Sequence, residues 1–189
     1  MGLFKVAIFM AVFYLAMADY QQDALKQHNA MRRIHNARPL KLKKQLSDDA
    51  NRYAQELVNK YLRSHTLKHS PKRSRPGVGE NLSLGCTTAR GVEGRTVTSA
   101  IKEWYDEVCK YRFHRPGFAL STGHFTQIVW RATTELGIGK KSGSYTASDG
   151  KKWTCTYIVG RYKAAGNVEG QFRENVQKGN FNRADCNSV

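Results

Sequence analysis

The stretch STGHFTQIVW, residues 121–130, places one ionisable imidazole at the start of an apolar run. Ser121 or Thr122 can begin a short helix that continues to Trp130, because hydroxyl side chains cap helix N-termini. The apolar residues of the run would anchor this helix in a core. His124 then projects from the first turn, and its role depends on what the rest of the chain places beside it.

Two longer helices are predicted before this stretch. The first spans residues 21–35 and ends at the turn-forming segment NARP, residues 36–39. The second begins at Ser47, whose hydroxyl offers an N-cap, and two aspartates suit the dipole of its first turn. Its buried face is a stripe at helical spacing that comprises Leu46, Ala50, Tyr53, Ala54, Leu57, Val58, Tyr61 and Leu62.

A third helix opens at Thr96 and brings Glu107 to the edge of an apolar face, whereas Asp106 points roughly the other way. The residues predicted to face the core are Val97, Ala100, Ile101, Trp104, Val108 and Tyr111. A carboxylate beside buried aromatic residues needs a cation or hydrogen-bond donors. Glu107 is therefore either paired inside the domain or a solvated residue at the helix edge.

The remaining segments complete the predicted fold. Residues 64–94 lose the helical period among prolines, glycines and cations, which predicts a long loop. After the opening stretch, residues 135–141 and 153–162 are predicted to be strands joined by the turn-rich segment SGSYTASDG. Helices combined with a small antiparallel sheet predict an α+β layered domain.

The N-terminal segment has the pattern of a secretory signal peptide. Lys5 precedes an apolar stretch that is too short for a bilayer span of about 20 residues, and Ala16 and Ala18 form an A-x-A cleavage pattern. Val6 stands where N-myristoylation wants Ser or Thr. We therefore expect residues 1–18 to be a signal peptide and residues 19–189 to form one exported domain.

The predicted mature chain is strongly basic. Cleavage removes Lys5 and no acid, so the formal charge of +16 falls to +15. A surface with this positive charge attracts polyanions, and heparan sulfate or anionic lipid fits an exported protein better than nucleic acid does. The alternative is that the charges only keep the surface solvated. The cations are Arg32, Arg33, Lys41, Lys43, Lys44, Lys68, Lys72, Arg73, Arg75, Lys140, Lys141, Lys151 and Lys152.

Four cysteines predict two disulfides in an oxidising compartment, with three possible connectivities. Of these we favour Cys86 with Cys109 and Cys155 with Cys186. The cysteines show no CxxC or Cys/His metal spacing, and none has a neighbouring histidine that would make it a nucleophile.

Two histidines and two glutamates could together hold a divalent metal, because imidazole and carboxylate are its usual ligands. They are His69, Glu80 in the glycine-rich segment GVGEN, Glu107 and His124. Taken singly, each is as readily a hydrogen-bonded structural group, and no local spacing such as HExxH decides between the two interpretations.

Four ordered motifs resemble those of the CAP superfamily, which includes cysteine-rich secretory proteins, antigen 5 venom allergens and pathogenesis-related class 1 proteins. They are LKHSPKRSRPGVGENLS, WYDEV, STGHFTQIVWRATTELGIG and YIVGRYKAAGNVEGQFRENV, and the resemblance covers about residues 24–176. Within the superfamily the chain is similar to the Golgi-associated plant pathogenesis-related group. That group is usually intracellular and lipid-anchored, whereas the leader here predicts a secreted relative.

The resemblance implies a three-layer α-β-α sandwich around a central cavity. It assigns His69, Glu80, Glu107 and His124 to a tetrad that binds zinc or another divalent cation in family members. Asn81 and Gln127 would support these ligands. Family disulfide pairing does not transfer, because the cysteine positions differ, and the C-terminal segment after Lys178 contains a single cysteine, Cys186.

The resemblance also implies lipid binding, since family members bind sterols near the loop of residues 111–118 and fatty acids between helices. Tyr111, Phe113 and Phe118 would offer apolar faces, and Arg112 and Arg115 would attract anionic head groups. One alternative is a metal-dependent hydrolase that uses the tetrad, with a glutamate as base. Another is an immunomodulatory effector acting at a host or cell surface. We expect binding rather than catalysis.

The sequence leaves one modification open. Residues 81–83, NLS, form an N-glycosylation sequon. Its asparagine directly follows the presumed cavity glutamate.

Overall fold

The computed structural model describes residues 20–188. The helices are α1 (residues 20–34), α2 (Lys44–Tyr61), α3 (Val97–Asp106), α4 (Gly123–Val129) and α5 (Phe172–Asn175). The strands are β1 (Lys41–Leu42), β2 (Val78–Thr87), β3 (Glu135–Thr146) and β4 (Lys152–Lys163). Short 3-10 helices cover Lys72–Ser74, Glu107–Lys110 and Arg183–Ser188. The predicted signal peptide lies outside the described residues, and no helix within residues 20–188 has both the length and the hydropathy of a bilayer span.

The sheet has the strand order β1-β3-β4-β2. Successive side chains of β4 alternate between its faces: Tyr157 and Val159 pack with α2, whereas Ile158 and Tyr162 join the core that contains residues of α1, α3 and α4. The predicted α+β three-layer sandwich is confirmed. The sheet is mixed, because the short strand β1 pairs in parallel with β3.

Strand β2 lies inside the segment predicted to be a long loop, so that prediction is wrong. It pairs antiparallel with β4 along its whole length. Its sequence, VGENLSLGCT, does not alternate apolar and polar residues as a strand usually does, because glycines and polar residues interrupt the pattern. Some of these residues contact neighbouring elements. Gly79 is one of these, since a Cβ at this position would collide with the side chain of Gln127 on α4.

Helix α2 begins three residues before the predicted cap. Ser47 is buried and its Oγ accepts a hydrogen bond from the amide of Ile138 at 3.3 Å, so it links α2 to β3 instead of capping the helix. The cap predicted at Thr96 is confirmed, because its side chain accepts a hydrogen bond from the amide of Ser99 at 3.1 Å.

Arg32 belongs to the interior, which corrects its place among the predicted surface cations. Its side chain is fully buried, and its guanidinium donates to the carbonyls of Arg38, Ile128, Trp130 and Thr133 at 2.7–2.9 Å. Burial lowers its pKa to about 10. Arg32 therefore joins α1 to the segment that connects α4 with β3.

The disulfides pair Cys86 with Cys155 and Cys109 with Cys186, so the favoured connectivity is wrong. Cys86 and Cys155 face each other directly across β2 and β4. Cys109 lies in the 3-10 helix after α3 and anchors the C-terminal 3-10 helix. Cys186 is thus paired with Cys109 and not with Cys155 as predicted.

Candidate functional site

Glu107 joins the end of α3 to the start of α4. Its Oε2 accepts hydrogen bonds from the backbone amides of His124 and Phe125 at 2.9 and 3.1 Å. These amides are free because they lie in the first turn of α4. The expected cap by Thr122 is wrong, since its hydroxyl donates to the carbonyl of Ala119 instead.

The other oxygen of Glu107 fixes the imidazole of His124. Oε1 lies 2.8 Å from Nδ1 of that ring, which also stacks against Trp104. A carboxylate accepts only, so Nδ1 carries the proton in this pair. Nε2 of His124 is left with its lone pair, and the side chain is about one-third exposed.

His69 and Glu80 form a second pair of the same kind. Nδ1 of His69 lies 2.6 Å from Oε1 of Glu80, whose carboxylate is fully buried at the start of β2. The amide and hydroxyl of Ser70 donate to the same carboxylate at 3.0 and 2.8 Å, and Arg161 forms an ion pair with it. Burial alone would raise the pKa of Glu80, but the hydrogen bond from His69 and the charge of Arg161 hold it below its ordinary value.

Strand β2 contacts both pairs. Glu80 and Asn81 are consecutive strand residues, so their side chains project to opposite faces. Glu80 reaches His69, whereas the Asn81 amide donates to the backbone carbonyl of His124 at 3.1 Å. Within the described residues, no three of the four predicted ligands bring donor atoms within 4.8 Å of one another. The structure therefore gathers the predicted tetrad as two His–Glu pairs.

A different donor group does meet that distance within residues 20–188, namely His65, Cys86 and Cys155. Its two sulfur atoms are joined in a disulfide and are not thiolates. Since the thiolate is the metal-binding form of cysteine, this group is not a metal site in the oxidised protein.

A buried polar chain supports His124 from the core. Nδ1 of His28 donates to the carbonyl of Ala24 at 2.7 Å, and its Nε2 accepts from the hydroxyl of Tyr162 at 2.9 Å. That hydroxyl in turn accepts from Asn81 at 3.3 Å. Burial lowers the pKa of His28 to about 4, so the imidazole is neutral. Asn81 is 1% exposed, which places the sequon asparagine out of reach of a glycan in the folded domain.

The predicted lipid-binding residues have different environments. Tyr111 is 2% exposed and belongs to the core cluster, and the partly buried Phe113 packs edge-to-face against it at 5.0 Å. Phe118 is 50% exposed, and its ring lies 6.5 Å from that of Phe172. Leu120, which the sequence analysis missed, is 88% exposed. The sequence signal that could have indicated Leu120 is the apolar run FAL, residues 118–120, in an otherwise polar loop.

Comparison with protein families identifies the family of this chain. Residues 25–157 match the CAP family model, described as the cysteine-rich secretory protein family. The chain belongs to the CAP family. The two His–Glu pairs and the loop of residues 111–122 lie within the matched residues.

Two relatives of this chain come from distant organisms. Golgi-associated plant pathogenesis-related protein 1 of Homo sapiens is 40% identical over 163 residues, which cover 85% of this chain and 94% of that protein. Protein PRY2 of Saccharomyces cerevisiae is 38% identical over 158 residues, which cover 84% of this chain and 41% of that protein. The first similarity extends over nearly the whole relative.

A solved structure has the same fold. The crystal structure of NaASP2 with Zn²⁺ matches with a TM-score of 0.58 at 21% identity, covering 84% of this chain and 85% of that one. At this identity the likeness shows the CAP fold alone.

The two His–Glu pairs orient their imidazoles in the same way. In both pairs a carboxylate engages Nδ1, an arrangement that orients metal-binding imidazoles in proteins. Within the described residues neither Nε2 has a hydrogen-bond partner. Both carboxylates are occupied by donors, so Glu80 and Glu107 are placed to orient the imidazoles rather than to contact the ion.

One cavity is lined by residues from both predicted sites, the His69–Glu80 pair and Phe118. It has a volume of about 370 Å³, and its lining includes His69, Glu80, Gln127, Asn167 and Phe118. Phe118 also lines a second pocket of about 310 Å³ beside the loop. The exposed phenylalanine therefore stands between the His–Glu cavity and the loop pocket of this CAP domain.

Proposed function

We propose that this CAP-domain protein is secreted and binds a lipid, sterol or fatty acid, at the loop of residues 111–122. The exposure of Leu120 and Phe118 supports this proposal most directly. Apolar surface in water costs about 25 cal/mol per Å², and neighbouring exposed apolar side chains are typical of binding sites. Arg112 and Arg115 in the same loop would attract the polar end of an amphiphile.

Secretion is supported by two independent features. Both disulfides are of the kind that persists in oxidising compartments. The leader pattern over residues 1–18 provides the route to such a compartment.

Lipid binding is best tested with purified mature protein and a fluorescent sterol or fatty acid. We expect saturable binding that weakens at least roughly tenfold when Phe118→Ser and Leu120→Ser are combined, because both contacts are removed from the site. Val92→Ser is the control, since Val92 is 53% exposed, close to the 50% of Phe118, but lies outside the loop. An absence of saturable binding, or an unchanged affinity in the double variant, would overturn the proposal.

We also propose that His69 and His124 bind a divalent cation such as Zn²⁺. The shared His–Glu geometry supports this, as does the presence of Zn²⁺ in the crystals of a protein with the same fold. Calorimetric zinc titration should lose its signal in His69→Ala and His124→Ala and keep it in His114→Ala, which changes an exposed loop histidine. Equal binding in all three variants would contradict this site.

A hydrolase receives less support. A general base must present a free carboxylate oxygen to water. The carboxylates of Glu80 and Glu107 are both occupied by protein donors, and that of Glu80 is fully buried. Orientation of the histidines is the role these contacts favour.

A further inference from the structure

The disulfide between Cys86 and Cys155 has a histidine beside it. A ring nitrogen of His65 and the two sulfur atoms all lie within 4.8 Å of one another, which no other three histidine, cysteine or carboxylate donors of residues 20–188 do. Two thiolates and one imidazole are a ligand set that binds zinc in proteins. In the oxidised protein the sulfurs are bonded to each other, so this set becomes available only when the disulfide is reduced.

The sheet holds the two cysteines together independently of their disulfide. Cys86 and Cys155 are directly opposed in the register of β2 and β4, with Cα atoms 4.0 Å apart. The pairing extends along all of β2, so its hydrogen bonds do not depend on the sulfur–sulfur bond. A tetrahedral zinc ion needs its two sulfur ligands about 3.8 Å apart, as Zn–S bonds of about 2.3 Å require. Rotation of the two reduced side chains reaches this separation while the strands stay paired.

The imidazole of His65 is positioned by the end of the β3–β4 hairpin. Its Nε2 shares a hydrogen bond of 2.8 Å with the hydroxyl of Tyr145, and its ring contacts that of Trp153 at a centroid distance of 6.0 Å. Tyr145 and Trp153 are themselves paired across β3 and β4. These contacts hold the imidazole near the disulfide, as hydrogen bonds to a ligating histidine do at metal sites.

The cluster is open to solvent on one side. Cys155 is buried, Cys86 is partly buried and His65 is exposed. Cys86 also lies near the end of β2, which is an edge strand of the sheet. Its sulfur is therefore the one that a thiolate from solution meets first. With three protein ligands, the fourth position of a tetrahedral zinc ion is left to water.

We propose that a dithiol reductant converts this disulfide into a Zn²⁺ site formed by Cys86, Cys155 and His65. A thiolate of the reductant attacks one sulfur to form a mixed disulfide, and the second thiol of the reductant then displaces the protein from it. Two electrons and two protons thus pass to the cysteines, and the reductant leaves as its own disulfide. Zinc binding then releases both thiol protons to water, because the thiolates are the ligands.

This site is separate from those proposed above. The six residues from Glu80 to Cys86 span about 20 Å of β2, so the cysteines lie far from the His–Glu pair at the start of the strand. The inference shares no residue with the lipid or His69–His124 proposals and does not rest on them. Metal binding here depends on the redox state of the chain, whereas binding by imidazoles alone does not.

Cobalt is the probe, because Co²⁺ bound by thiolates absorbs in the near ultraviolet and Zn²⁺ displaces it. The mature protein is reduced with dithiothreitol, freed of reductant without oxygen and titrated with Co²⁺. We expect a saturable thiolate absorption in the reduced protein and none in the oxidised protein, and Zn²⁺ should remove it. In urea, where the strand pairing is lost, the affinity should fall at least roughly tenfold. Reduced protein without thiolate absorption, or with equal affinity in urea, would overturn the proposal.

The second disulfide provides the matched control for the cysteines. Cys109 and Cys186 have no such third donor among the described residues. Replacing both by serine leaves Cys86 and Cys155 as the only thiols, and the reduced variant should bind a single Co²⁺ with the absorption retained. Cys86→Ser in this background should abolish the absorption, and circular dichroism checks that both variants are folded. An absorption that is lost with Cys109 and Cys186, or that persists without Cys86, would contradict the assignment.

His65→Asn tests the imidazole. Asparagine suits the left-handed backbone of this position, where φ is 51°, so the turn should be kept. The affinity of the reduced protein for Co²⁺ should fall at least roughly tenfold, because one of three protein ligands is lost. His114→Asn, which changes another exposed histidine, should leave the affinity unchanged. Equal affinities of the two histidine variants would exclude His65 as a ligand.

Discussion

Glu107 holds His124 twice, through the backbone amide at 2.9 Å and through ring Nδ1 at 2.8 Å. The same carboxylate therefore starts α4 and sets the orientation of the imidazole that α4 carries. One side chain therefore couples the start of α4 to the orientation of His124, so a substitution at Glu107 should change both the stability of the domain and the geometry of the site.

Replacing Glu107 by alanine should lower the free energy of unfolding by about 1–2 kcal/mol, as loss of a helix cap does. It should also weaken zinc binding roughly 10- to 100-fold, since the imidazole loses its orienting partner. Urea denaturation and zinc titration measure the two effects. Asp106→Asn is the control, because within residues 20–188 this neighbouring carboxylate forms its ion pair with Lys102 at the surface. The substitution should change stability by less than about 1 kcal/mol. Equal effects of the two substitutions would contradict the role of Glu107.

Glu80→Gln should lower the free energy of unfolding at pH 7 by about 3–5 kcal/mol, because Arg161 would remain buried without its counter-charge. Because the pKa of Glu80 is lowered in the fold, its ionised carboxylate stabilises the protein at pH values above 4.5, the ordinary pKa of the group. This contribution is lost as the pH falls through the folded-state pKa. The difference between wild type and variant should therefore narrow below pH 4.5. Urea midpoints from pH 7 to pH 3 test this. Glu56→Gln, which changes an exposed ion pair, should show no comparable loss.

His28 should make the domain sensitive to mild acid. Its pKa rises from about 4 in the fold to 6.5 when exposed, so the unfolded chain binds the extra proton between these values. The free energy of unfolding is therefore unaffected by His28 above pH 6.5, and it falls by up to about 3 kcal/mol as the pH approaches 4. His28→Gln should flatten this part of the stability profile, whereas His114→Gln should leave it unchanged. An unaltered slope in His28→Gln would exclude His28 as its source.

The disulfide pairing can be read directly from peptides of the unreduced protein. We expect linked fragments that contain Cys86 with Cys155 and Cys109 with Cys186. Removing the second bridge with paired serine substitutions should cost about 2–4 kcal/mol, because it closes a long loop. Thermal unfolding measures this cost. A fragment that joins Cys86 to Cys109 would contradict the observed sheet register.

Helices were predictable because their signal is local. The stripe of α2 and the cap at Thr96 follow from spacing and hydroxyl chemistry within one turn. The position of Glu107 beside buried aromatics already indicated a need for donors, and the family motifs supplied its partner. That the donors are backbone amides of α4 depends on how α3 and α4 pack, which no local pattern contains.

The sheet and its consequences were less predictable. Strand β2 mixes glycines and polar residues, so periodicity does not separate it from a loop. The partner of Cys86 depends on the register between β2 and β4, which is set by pairing rather than by sequence distance. The charge of Arg32 predicts a surface position, but residues four apart lie on the same face of a helix. Its spacing from the buried His28 therefore indicates the buried face of α1.

The burial of Arg32 also dictates an order of events during folding. Helix α1 lies near the beginning of the chain, yet three of the carbonyls that hold its guanidinium are 96, 98 and 101 residues further along. A chain emerging from the ribosome would expose this helix long before its acceptors exist, and such distant contacts form slowly. Helix α1 is therefore synthesised well before the carbonyls that bind Arg32, and the guanidinium can reach all of these acceptors only after residue 133 has been made.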